Sequence, residues 1–193
     1  MIESPPQAFK KIIIAEHKNF VLFLSLFLGV SAFFALMWGK QSGNLFDNLF
    51  PLLLFGIGLG AVIALPLFFV LCGVMHGVAK AAKGKATFRE TYGVVGWSLM
   101  PIMFSVVFVL PLELSTLGLL LFSTNPSALE VKPIVTMVFM GLDGALLLWS
   151  VMLSATGISI AHRFRFWTGL IVTLTAAVLV TFLSMYIYSS FTI

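Results

Sequence analysis

The chain has 193 residues, of which 60% are hydrophobic and 9% charged, with a mean hydropathy of +1.11 and a formal net charge of +4. Roughly a quarter of the residues in an ordinary soluble domain are charged, so the polar surface here is too small to cover a soluble globule. Several apolar runs exceed the roughly 18 residues that cross a bilayer, and the expected fold is an all-α polytopic membrane domain over residues 1–193.

The first 19 residues, MIESPPQAFKKIIIAEHKN, lack a short apolar core closed by small residues, so no cleaved signal peptide is expected. Phe9, Ile12, Ile13 and Phe20 fall near one helical face, and Lys10, Lys11, His17 and Lys18 fall on the other. That pattern predicts a cytoplasmic amphipathic helix lying in the membrane interface, with Pro5 and Pro6 at its start.

Five spans follow, at about 20–38, 49–75, 91–112, 134–161 and 167–190, forming a bundle of transmembrane helices. The breaks carry turn or charge signals: GKQSGNLFDN, KAAKGKATFRE, STNPSALEVKP and HRFRF. The stretch LELSTLGLLLF after Pro111 is too short to span, and either extends the third helix or lies on the outer surface. Pro66, Pro101 and Pro111 are expected to bend the second and third spans and to free backbone carbonyls.

Short cytoplasmic loops hold the excess of Lys and Arg. With the N-terminus inside, nine of the eleven positive charges fall on the inner side, and only Lys40 and Lys132 fall outside. The C-terminus is then expected on the opposite side. Lys80, Lys83, Lys85, Arg89, Arg163 and Arg165 form a basic cytoplasmic surface facing lipid or partner proteins. Topology and anionic head groups account for the positive charge, and no nucleic-acid partner is expected.

Gly56 and Gly60, then Gly73 and Gly77, form two GxxxG patterns, and Ser150 and Ser154 form a small-xxx-small pair. Such faces let helix backbones approach closely, within one chain or across a homo-oligomer seam. Cys72, the single cysteine, reads as a small packing residue, and no internal disulfide is possible.

Asp143 interrupts the apolar run FMGLDGALLLWS. A carboxylate at mid-bilayer costs about 3 kcal/mol on insertion scales. Nine residues beyond Ile134, it lies roughly 13 Å into the fourth span, near the midplane. Ser105, Thr181 and Ser184 are the polar side chains nearest that level, and no Lys, Arg or His reaches it. Two readings stand: a protonated carboxyl donating to a hydroxyl or to a carbonyl freed near Pro101, or a proton- or cation-binding group beside a water-filled crevice. Glu113 is the second acid of interest, expected in the head groups or paired with Lys132.

No GxSxG, HExxH or phosphate-binding Gly-Lys loop is present, and Asp143 is the only aspartate inside a predicted span, which excludes intramembrane proteolysis by paired aspartates. His17, His76 and His162 fall at one membrane face, but without ligand spacing. They read as interfacial side chains, with no metal site and no cofactor expected.

Three stretches, SPPQAFKKI, TYGVVGWSLMPIMF and LLLWSVMLSATGISIAHRFRFWTGLIVTLTA, together resemble the YIP family in order and spacing. These are multispanning membrane proteins named for interaction with Ypt/Rab GTPases. The resemblance implies five helices, a cytoplasmic N-terminus and, in eukaryotic members, a role in vesicle trafficking. Fewer than twenty residues precede the first span, with no DLYGP-like element, so the chain is closer to the compact prokaryotic members and GTPase binding is not carried over. The location implied is the bacterial cytoplasmic (inner) membrane for a prokaryote, or the Golgi or endoplasmic reticulum for a eukaryote.

The expected function is that of a noncatalytic scaffold or adaptor, with the bilayer and other membrane or cytoplasmic proteins as partners. The alternative is a small proton- or cation-linked transporter or channel using Asp143. Five spans without an evident internal repeat argue against it unless the chain dimerises.

Overall fold

The computed structural model describes residues 6–10 and 19–190, with side chains described for 6–10 and 20–183. The described secondary structure is entirely helical: α1 (Asn19–Gly39), α2 (Leu49–Ala81), α3 (Phe88–Ser98), α4 (Met100–Phe104), α5 (Leu110–Leu117), α6 (Ala128–Val131), α7 (Pro133–His162) and α8 (Phe166–Ser190). Five helical runs are long and apolar enough to cross a membrane, and the run Phe88–Phe122, containing α3, α4 and α5, is the third. Residues 6–10 are helical. Most of the proposed interfacial helix, residues 11–18, lies outside the described residues.

Side-chain caps begin several helices. Asn48 Oδ1 accepts from the Phe50 N–H at 3.1 Å and opens α2. Thr87 and Glu90 form a reciprocal pair at the head of α3, with Thr87 N–H donating to Glu90 Oε2 at 2.6 Å and Glu90 N–H to Thr87 Oγ1 at 3.3 Å. Ser127 and Glu130 repeat the arrangement at α6. Each cap satisfies donors that the first helical turn leaves free.

The third span is not one regular helix. It breaks at Leu99, where Pro101 follows two residues on and cannot donate to the carbonyl four residues back. A π-helical turn, Ser105–Val109, links α4 to α5, with the Leu110 N–H donating to the Ser105 carbonyl. The stretch after Pro111 extends the span as α5, then turns at Gly118 (φ 59°) into a 3-10 turn, Gly118–Phe122. At the Leu99 break, Ser150 Oγ donates to the Ser98 carbonyl at 2.7 Å.

Residue contacts divide the fold into two compact units. One takes the chain up to Leu22, Pro66–Ser98 and the chain from Ser150; the other takes Phe23–Leu65 and Leu99–Trp149. The first unit is packed around Val21, Phe68, Val94, Val95, Ala155 and Ile158. A Cβ on Gly157 would stand 2.3 Å from Val94 Cγ1, and one on Gly169 only 2.5 Å from the Ala155 carbonyl oxygen. The second unit is built on Val30, Phe34, Met37, Leu52, Leu114 and Phe122. There α1 and α2 meet backbone to backbone at Gly29, Gly60 and Ala64. Large apolar side chains such as Phe50 (74% exposed) and Ile134 (78%) point outward, as expected when the surrounding solvent is hydrocarbon.

Candidate functional site

In the second unit a cavity of about 460 Å³ has mostly apolar walls, among them Phe34, Trp38, Phe122 and Leu147, and its polar groups are Ser31, Ser105, Glu113 and Asp143. Ser105 opens the π-helical turn, and its hydroxyl donates to Asp143 Oδ1 at 2.6 Å. Glu113, one turn into α5, is 6% exposed and lies within hydrogen-bonding reach of the Asp143 carboxyl. Two carboxyls can hydrogen-bond each other only when one carries a proton. Among the described residues no cationic side chain lines the cavity.

This geometry corrects the placement expected for Glu113. It faces inward to Asp143 rather than outward to head groups, and Lys132 donates instead to the Thr116 carbonyl. The reason is the helical path after Pro111: α5 continues the span, so Glu113 stays on the turn facing the cavity rather than on a surface loop. Among the residues counted to the level of Asp143, Ser105 touches it. Thr181 is exposed and donates to the Ala177 carbonyl, and the side chain of Ser184 lies outside the described residues.

The packing candidates divide. Gly56 and Gly60 are in close contact, the first beneath the Phe34 ring and the second against the Val30 backbone. A Cβ added to Gly73 or Gly77 would meet nothing within 4 Å among the described residues. Ser150 bonds the Ser98 carbonyl and Ser154 is buried. Pro101 is buried at the break it creates.

In the first unit the two basic corners are fastened together. Helix α2 ends in a turn with Lys83 left-handed (φ 66°), and the Gly84 N–H reaches back to the Ala79 carbonyl at 2.8 Å. Helix α7 ends likewise, with Arg163 left-handed (φ 60°) and Phe164 N–H on the Ser159 carbonyl at 2.8 Å. The Lys85 N–H donates to the His162 carbonyl at 3.4 Å. Buried Thr91 lies 3.0 Å from His76 Nδ1 and 3.0 Å from His162 Nε2, while its own hydroxyl donates to the Thr87 carbonyl at 3.1 Å. A hydroxyl has one hydrogen, so both imidazoles must donate to it.

This clamp was not visible as a motif. His162 is 1% exposed and packs flat on Phe164, with ring centroids 5.6 Å apart, so it does not extend to head groups as an interfacial histidine would. A spacing of 71 residues between Thr91 and His162 gives no local signal. Lys80, Lys83, Lys85, Arg89, Arg163 and Arg165 belong to these corners, with Glu90 the carboxylate among them. Among the described residues no group of three or more His, Cys, Asp or Glu side chains is placed to hold a metal ion. His17 lies outside the described residues.

No curated protein and no solved structure matches the chain in comparison searches. A family model described as Yip1 domain matches residues 1–188, nearly the whole length and all five membrane-crossing runs. With that match and the five-span helical architecture, the chain belongs to the Yip1-domain (YIP) family of integral membrane proteins.

Proposed function

We propose that the protein is a noncatalytic membrane scaffold or adaptor, oriented with its N-terminus and basic corners in the cytoplasm and its C-terminus on the other side. Its partners are the bilayer and membrane or cytoplasmic proteins, and its membrane is the bacterial cytoplasmic membrane or, in a eukaryote, the Golgi or endoplasmic reticulum. The observation that carries this reading is the clamped pair of basic corners: Thr91, His76 and His162 hold the two turns together, so the cations spring from a fixed backbone. A fixed origin lowers the ordering cost of each contact made with a partner.

The cavity favours a second reading, a proton- or cation-linked carrier, because intramembrane carboxyls mark ion pathways as a rule. One experiment separates the two. Purified protein in liposomes is compared with Asp143→Asn for proton and cation flux and for thermal stability. The scaffold reading expects no flux from either protein and a melting temperature unchanged or raised in the variant, since the amide keeps an acceptor for Ser105 and offers Glu113 a donor. Flux in the wild type that the substitution abolishes would establish the carrier instead.

A further inference from the structure

Glycine is the usual residue at the left-handed position closing a helix, because a Cβ there costs of order 1 kcal/mol. At both corners of the first unit that position carries a cation, Lys83 at φ 66° and Arg163 at φ 60°. A cation is favoured at a helix C-terminus by the helix dipole, and here it is held on a left-handed backbone that strains any residue with a Cβ.

The surroundings identify the counter-charge. The corners carry Lys80, Lys83, Lys85, Arg89, Arg163 and Arg165 against Glu90, six positive charges less one negative, or +5. Glu90 Oε2 is committed to the Thr87 N–H and hydroxyl at 2.6 and 2.9 Å, in the cap of α3. The cations stand within a few residues of four span ends: Ala81, Phe88, His162 and Phe166. Exposed aromatics are interleaved with them, Phe88 at 41%, Phe166 at 39% and Trp167 at 71%. The amphipathic ring of Trp167 beside long basic stems at a span end marks the head-group layer, where the abundant anion is lipid phosphate.

We propose that the two clamped corners, through Lys83 and Arg163 at their left-handed turns, form a binding surface for the phosphate of anionic phospholipid head groups. The proposal rests on the scaffold reading of the basic corners and names their lipid partner. Flux through the cavity would overturn the scaffold reading and leave lipid selectivity standing, whereas absent selectivity in a flux-silent protein overturns this proposal alone.

The test uses the full chain in phosphatidylcholine vesicles, with spin-labelled phosphatidylglycerol and phosphatidylcholine compared for their motionally restricted fractions at the protein. Wild type is expected to favour phosphatidylglycerol, and the preference falls in high salt. Lys83→Gly combined with Arg163→Gly is expected to lower that preference by up to about thirtyfold, from the loss of two cations near the surface, while its melting temperature equals or exceeds that of wild type. Lys83→Arg with Arg163→Lys should keep the preference. Equal selectivity in wild type and the double glycine variant overturns the proposal, as does no selectivity in wild type, which would leave the corners to an acidic protein face.

Discussion

Gly29→Ala is expected to destabilise the protein by about 2 kcal/mol, within the range for forcing extra carbon into a packed interior. Its Cβ would stand 2.2 Å from the Gly60 carbonyl oxygen and 2.5 Å from Ala64 Cα. Both obstacles are backbone, so neither can rotate away, and α1 must move off α2. Gly60→Ala is expected to cost a similar amount, because its Cβ would meet Val30 Cα at 2.6 Å. Together the two should cost less than their sum, since one separation of the helices relieves both contacts. Gly73→Ala and Gly77→Ala are the controls. Nothing among the described residues lies within 4 Å of either added carbon, and the gain in helix propensity makes them neutral or stabilising by up to about 1 kcal/mol. Thermal unfolding in detergent measures all five, and a Gly29→Ala protein that melts with the wild type would refute the close approach of α1 and α2.

The second large effect belongs to the clamp. Thr91→Val preserves shape but removes the oxygen that accepts from His76 and His162. His162 is 1% exposed, and its other nitrogen, Nδ1, has no partner among the described residues, so the substitution leaves both nitrogens of a buried ring without hydrogen bonds to them. Each unsatisfied buried group costs about 1 to 3 kcal/mol. His76 is partly exposed and recovers part of its loss from water, so the expected destabilisation is about 3 kcal/mol. Thr91→Ser keeps the oxygen and should recover most of it. Beyond stability, hydrogen exchange at Gly84, Lys85 and Phe164 should accelerate in Thr91→Val, because their amides close the two corners. Unchanged exchange there would show that the corners hold without the clamp.

The class of the protein was legible in the residues alone. Apolar runs long enough to cross a bilayer, broken by short polar turns, can fold only as spanning helices, because hydrocarbon offers no partner to an unpaired backbone. Family membership was legible because three stretches, around the first, third and fourth to fifth spans, resemble the YIP family in order and spacing, which needs no knowledge of contacts. Asp143 also declared itself, as a carboxyl in a run where nothing else is charged.

What those residues meet was decided in three dimensions. A helix that faces lipid is apolar all round, so hydrophobic periodicity does not report which side turns inward. Gly56–Gly60 and Gly73–Gly77 therefore look alike in sequence, yet only the first pair is packed closely against a neighbouring helix of the described fold. Gly29, with no glycine four residues away, carries one of the tightest contacts. Glu113 reads as a surface acid because Pro111 precedes it, but the π-helical turn and the continued α5 keep it in the cavity with Asp143. Thr91 has no signature at all, since its partners lie 15 and 71 residues away and meet only when three helices end at one level. Composition and spacing set the solvent and the number of spans, whereas helix rotation, which depends on packing between distant segments, set the carboxyl pair, the glycine contact and the clamp.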